Sequence, residues 1–153
     1  MAYQKLQVER ALKVIPSDTI NIPNVSGAST SGVTDGTTAN KLVDSGATFS
    51  TNLVGYIVYN TTDSTVARVT AVDSATTLTL SANIMSTGEN YVVYEDINNG
   101  CVLQSGAAGT IRVLTAGGDD VTFSVVAGAF IPVQVVRVFT SGTMNSPNII
   151  ALW

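Results

Sequence analysis

The stretch Ile111-Arg112-Val113-Leu114-Thr115, then Gly117-Gly118, then Val121-Thr122-Phe123-Ser124-Val125 decides the fold class. Two β-branched runs flank a glycine pair, and glycine supplies the positive φ that tight hairpin turns require. Alternating apolar and polar residues put one face of such strands in a core and the other in water.

The same grammar extends outward. Val66–Val72 and Thr77–Ser81 form a second predicted hairpin, turned at Asp73-Ser74-Ala75-Thr76. Gly55–Asn60 precedes it and Tyr91–Tyr94 follows, which makes a meander. Short runs with turn signals about every 8–12 residues are the all-β pattern. Only residues 4–13 hint at anything else, a short helix or an extended arm.

Two stretches break the pattern. Residues 24–39 read NVSGASTSGVTDGTTA and offer little to bury, which predicts a linker or exposed loop. Residues 95–100 read EDINNG, a turn cluster. They bracket residues 40–94 as an inserted β-meander module. The expected host is a small β-sandwich or barrel built from residues 11–23 and 101–153, with residues 1–10 as an N-terminal arm. Insertions at loop sites cost little. The chain ends on Ile149-Ile150-Ala151-Leu152-Trp153, which is too apolar to hang loose. Core packing and a subunit contact are equally good readings of that end.

The surface is short of charge. Of 153 residues, 12% are charged and 45% hydrophobic, against about 25% charged in a typical domain. Such a surface has little self-repulsion to overcome on assembly. Net charge is −4, and the seven basic residues are scattered (Lys5, Arg10, Lys13, Lys41, Arg68, Arg112, Arg137). No basic stripe exists to neutralise phosphates, so nucleic acid is not an expected partner. No apolar run reaches a membrane span, and no hydrophobic leader follows Met1. Synthesis in a cytoplasm is therefore expected.

The chain carries few residues suited to catalysis. The chain has no histidine and one cysteine, Cys101. That removes Ser-His-Asp and Cys-His sets, His-based metal sites, thiolate clusters and an intrachain disulfide. Cys101 lies in an apolar run and reads as a small buried hydrophobe. Among the acids, Asp119 and Asp120 are neighbours, so strand geometry points them apart. Asp35, Asp44, Asp63 and Asp73 fall in predicted loops without EF-hand spacing. Tyr56, Tyr59, Tyr91 and Tyr94 suit either a β core or a sugar-stacking platform, with the core favoured. The chain is not expected to be an enzyme, and no catalytic, cofactor or metal residue is nominated.

Two phrases carry a resemblance. Ile15-Pro16-Ser17-Asp18-Thr19-Ile20-Asn21-Ile22-Pro23 resembles the opening of small tailed-phage virion proteins. Gly109–Val113, Ala116–Phe123, Pro132–Val138 and Ile149–Trp153 are similar to the same proteins, the spike-base proteins that decorate heads of phages and gene transfer agents. The Gly-Thr-Thr-Ala-Thr type turn of that family is replaced here by Gly142-Thr143-Met144-Asn145-Ser146-Pro147. The middle segment, Lys41–Phe49 and Gly55–Asp63, is similar to a β-module grafted into phage head and tail proteins.

The resemblance implies a virion structural protein on the capsid surface, made in a bacterial host. The expected role is a decoration or cement protein binding the major capsid protein and itself. A homotrimer is the first expectation and a pentamer the alternative. A vertex spike base, or a tail or neck adaptor facing a receptor or glycan, is the second reading. The expected assembly contacts are Lys5, Arg10, Val138, Phe139, Ile149, Ile150, Leu152 and Trp153.

Overall fold

The computed structural model describes residues 8–145 and 147–153. The described residues are all-β: twelve strands lie in two antiparallel sheets of six, with short 3-10 turns at Val25–Gly27 and Thr51–Leu53. The chain divides into two compact units. A terminal unit joins the described residues up to Val25 with Asn98–Trp153, and an inserted unit spans Ser26–Ile97.

The terminal unit contains β1 (Ala11–Lys13), β8 (Cys101–Ser105), β9 (Gly109–Thr115), β10 (Asp120–Val125), β11 (Phe130–Val138) and β12 (Ile149–Leu152). Their order across the sheet is β1-β12-β8-β11-β9-β10. The period-2 pattern works as expected. Ile111 and Val113 of β9, Leu103 of β8, Ile131 and Val135 of β11, and Ile149 and Ala151 of β12 point into one core. The segment after β1 completes it. Val14 N–H donates to Ile149 O at 2.9 Å and Ile22 N–H to Val136 O at 2.9 Å, which places Val14 and Ile22 in the same core. The β9–β10 hairpin forms at the predicted place, and only Gly118 of the glycine pair has positive φ, +93°. Strand β11 shifts register twice, between Ile131 and Val135 and between Val135 and Arg137. Pro132 sits in the first irregular stretch and is exposed, as proline in a sheet requires.

The inserted unit contains β2 (Ala28–Val33), β3 (Lys41–Val43), β4 (Ile57–Asn60), β5 (Thr65–Ser74), β6 (Thr77–Leu80) and β7 (Asn90–Tyr94), in the order β2-β7-β4-β5-β6-β3. A bridge between Gly36 and Val43, with Asp35 N–H donating to Val43 O at 3.0 Å, ties the chain beyond β2 to β3. The two ends of the sheet thereby meet, in the manner of a barrel. Leu42, Phe49, Leu53, Val58, Ala67, Val69, Leu78, Leu80, Met85, Tyr91 and Val93 fill it. Strand β4 is buried at all four positions, and of these Val58 points into this core. Its last residue, Asn60, is polar yet satisfied. Nδ2 donates to Ile84 O (2.7 Å) and Glu89 Oε2 (2.8 Å), and Oδ1 accepts from the Thr62 and Asp63 amides.

Two local expectations need correction, and one open choice is decided. Residues 28–33, expected in a linker, are strand β2, paired along β7 from Tyr94 to Asn90. The strand was hidden because it is stabilised by main-chain hydrogen bonds at a sheet end, where small residues suffice. Gly32 lies opposite Tyr91, and its missing side chain leaves room for the Tyr91 hydroxyl and Asp44. Of the two readings of residues 4–13, the extended one holds for residues 11–13, which pair along β12, while residues 4–7 lie outside the described residues. The β5–β6 turn is shorter than predicted, because β5 runs to Ser74, opposite Thr77, with register shifts that absorb the extra residues.

Candidate functional site

The expected assembly residues that the structure describes fall into three groups: core, half-buried and exposed. Val138 and Ile149 are core residues, 1% and 0% exposed. They cannot touch another subunit from there, because alternation along β11 and β12 turns them inward; this corrects their expected role. Ile150, Leu152 and Trp153 are half-buried. Strand β12 is no edge, since β1 and β8 flank it. Ala11 pairs with Leu152, and Trp153 O accepts from the Glu9 amide at 2.7 Å, so the apolar C-terminal strand is tied down within the unit. The Trp153 ring packs against the core, and Nε1 donates to Asn98 Oδ1 at 3.4 Å. Phe139 is half-buried beneath two guanidinium groups, Arg112 at 4.4 Å and Arg137 at 5.7 Å from the ring centroid. Arg10 is exposed. Lys5 lies outside the described residues.

Sequence reasoning missed the surface that the terminal unit does offer. Val126 is 69% exposed and Phe130 54% exposed, on either side of the turn from β10 to β11. Val121 on β10 is also exposed. Strand β10 ends the sheet order, and among the described residues only β9 pairs with it. The signal was present in the sequence, as Val125-Val126-Ala127-Gly128-Ala129-Phe130 places two large apolar residues around a glycine turn. Whether such residues face a core or water depends on sheet order, which local pattern does not give.

The inserted unit offers a different feature. Val54, Gly55, Tyr56, Arg68, Glu95, Asp96 and Ile97 line an open hollow of about 330 Å³. Val54 and Ile97 are more than half exposed and form its apolar part. Its polar groups grip one another. Arg68 Nη1 donates to Gly55 O at 2.7 Å and pairs with Asp96 Oδ2 at 2.6 Å. Tyr56 donates its hydroxyl to Glu95 Oε1 at 3.0 Å, and that bond, with burial, raises the phenol above its usual value. Asp96 Oδ1 is buried without a hydrogen-bond partner. Of the four tyrosines considered as a stacking platform, only Tyr56 reaches this hollow. Tyr59, Tyr91 and Tyr94 are 3%, 1% and 8% exposed, and Tyr59 meets Tyr94 edge to face at 5.6 Å.

The carboxylates act within the fold. Asp35 accepts from Ser45 N–H at 3.0 Å and from the Ser45 hydroxyl. Asp44 accepts from the Tyr91 hydroxyl at 2.7 Å and Gly46 N–H at 2.9 Å. Asp73 pairs with Lys41 at 2.5 Å. Asp119 and Asp120 diverge as expected: Asp119 meets the Thr115 hydroxyl at 3.3 Å, and Asp120 pairs with Arg112. Among the described residues, no group of three or more acidic or Cys side chains is placed to hold a metal ion. No helix there is long and apolar enough to cross a membrane.

Compared with protein-family models, curated proteins and solved structures, the chain matches none.

Proposed function

We propose that the chain is a structural subunit of a tailed-phage virion that binds the capsid exterior as a decoration or cement protein. The observation that carries this reading is the exposed Val126–Phe130 turn of the terminal unit, set in a surface poor in charge. Single exposed apolar residues are ordinary, but two large ones on one turn beside an open sheet end favour a surface that a partner covers. The resemblance of the terminal segments to spike-base proteins supplies the partner, the major capsid protein. A subunit that binds only the assembled shell stabilises it by mass action. On a shell, a trimer at local three-fold positions or a pentamer at vertices are the forms to expect. Nucleic acid and membrane play no part in this reading, and the protein is made in the bacterial host before it joins the particle.

Antibodies against the chain should label intact virions over the shell, and unlabelled particles would overturn the proposal. Replacing Val126 and Phe130 together with Asp should strip the protein from shells while leaving its fold intact. Deleting residues 1–10 should weaken occupancy as well.

The hollow beside Tyr56 favours a second reading, an adaptor that faces a glycan. Its size is in the range of small-ligand sites, roughly 300–1,000 Å³. Tyr56, Val54 and Ile97 would meet the apolar face of a sugar ring, and Arg68 and Glu95 its hydroxyls. Glycan-array binding that Tyr56→Ala abolishes would favour this reading over the first.

A further inference from the structure

Natural sheet ends are blunted by shortness, bulges, proline or lysine. Three of the four strands at sheet ends here follow that rule. Strands β1 and β3 have three residues each, and β2 carries a register shift between Ala28 and Thr30. Strand β10 does not. It runs six residues against β9 without a register shift and contains neither proline nor lysine. Among the described residues no strand lies on its far side.

The direction of its main chain follows from the ladder. Thr115 N–H donates to Asp119 O at 2.9 Å, so these two residues form a hydrogen-bonded pair. Antiparallel ladders alternate such pairs with open ones. The main chain of Val121, Phe123 and Val125 therefore turns toward β9, and that of Asp120, Thr122 and Ser124 turns outward. Arg112, opposite Thr122, agrees with this phase. Its N–H donates to Thr143 Oγ1 at 3.0 Å and its C=O accepts from Phe139 N–H at 2.9 Å, both away from β10.

We infer that the outer edge of β10 pairs antiparallel with the same edge of a second copy of this chain, centred on Phe123. In that register Phe123 lies opposite the second copy's Phe123, Val121 opposite Val125, and Thr122 opposite Ser124. Every apolar side chain of the strand then meets an apolar one, the cross-strand pairing that stabilises sheets. A register two residues earlier would set Val125 against the Asp119 carboxylate. Charge is also accommodated. Asp120, the one charged residue in β10, falls at the end of the ladder opposite Val126, and Arg112 neutralises it within its own chain at 2.6 Å. No like charges face each other. A six-residue edge buries less than the roughly 1,000 Å² of a stable interface, so pairing depends on concentration and is strongest where copies are already held side by side. The contact is isologous and closes at two copies. It is compatible with a trimer or pentamer held by other surfaces, whose neighbours it would join. The inference stands independently of the virion reading.

The register is testable with the full chain. Thr122 and the opposing Ser124 would lie about 5.5 Å apart at Cα, within disulfide reach. A mixture of Thr122→Cys and Ser124→Cys chains should form a covalent dimer on mild oxidation, and neither variant should do so alone. The native Cys101 is 1% exposed and stays out of the reaction. Cross-linking by either variant alone, or none in the mixture, would overturn the register. In sedimentation, the 15.9 kDa chain should approach twice that mass as concentration rises. Thr122→Pro removes only an outward amide and should abolish the shift with an unchanged circular dichroism spectrum. If other surfaces hold a larger oligomer, the same variant should halve the largest mass. A wild-type mass that Thr122→Pro leaves unchanged would overturn the proposal, and the edge would then be left to a strand of a different protein.

Discussion

Arg112 and Asp120 close a two-pronged ion pair across the β9–β10 hairpin, with Nε to Oδ1 at 2.9 Å and Nη2 to Oδ2 at 2.6 Å. The guanidinium holds the Asp120 carboxyl below the usual range. Three other acids are held low in the same sense. Asp18 accepts from the Ser141 amide and hydroxyl, Asp35 from the Ser45 hydroxyl and amide, and Asp73 from Lys41 and then Thr79. In all four, the folded chain gives up its proton more readily than the unfolded chain. Their stabilisation is present above the unfolded value, about 3.9, and is lost as pH falls through the lower folded values. The urea midpoint should be steady from neutrality to about pH 5 and then fall. Asp18→Asn with Asp73→Asn should flatten that fall. A midpoint independent of pH down to about pH 2 would contradict the role given to these acids.

Neighbouring isoleucines of β12 should behave differently. Ile149 is 0% exposed in the terminal core, and Ile150, on the other face, is half-buried. Ile149→Ala should cost ~2–5 kcal/mol in chemical denaturation. Ile150→Ala should cost about 1 kcal/mol. Equal losses would mean that the strand register is wrong.

Gly32→Ala tests how the two ends of the inserted sheet meet. A Cβ at position 32 would collide with Asp44 Oδ2 and lie 2.8 Å from the Tyr91 hydroxyl, and those two groups are bonded to each other at 2.7 Å. Overpacking of this kind costs ~1–3 kcal/mol. The loss should appear as a lower melting temperature, and Tyr91→Phe in the same background should recover part of it. A methyl group tolerated without loss would place β2 elsewhere.

Cys101 should be inert in the native state. It is 1% exposed, its Sγ lies 3.2 Å from Val135 O, and burial pushes the thiol up to about 12. Thiolate is the reactive species, so maleimide labelling should follow global unfolding and accelerate only with denaturant. Rapid labelling without denaturant would show the β8–β11 contact to be open.

How far the sequence reached can be followed residue by residue. Alternation in Ile111–Thr115 and Val121–Val125 was enough for a hairpin, and the burial of Ile111 and Val113 agrees with it. Cys101 was legible as a core residue because it lies in an apolar run. Strand β2 was not legible, since main-chain bonds and the empty space at Gly32 leave no mark in composition. Among the tyrosines, composition gave four equal candidates, and only packing separated Tyr56 from the three in the core.

By itself the sequence determined the all-β class, because a period of two is a local property that each strand carries in its own residues. Two things were left to tertiary structure: which face of β12 is inward, and which strand ends the terminal sheet. Those depend on partners far away along the chain. Ile149 lies opposite Ser105 and Ala11 opposite Leu152, pairings set by the summed burial of the whole unit. The exposure of Val126 and Phe130, and the open edge of β10, follow from that sheet order and from no residue alone.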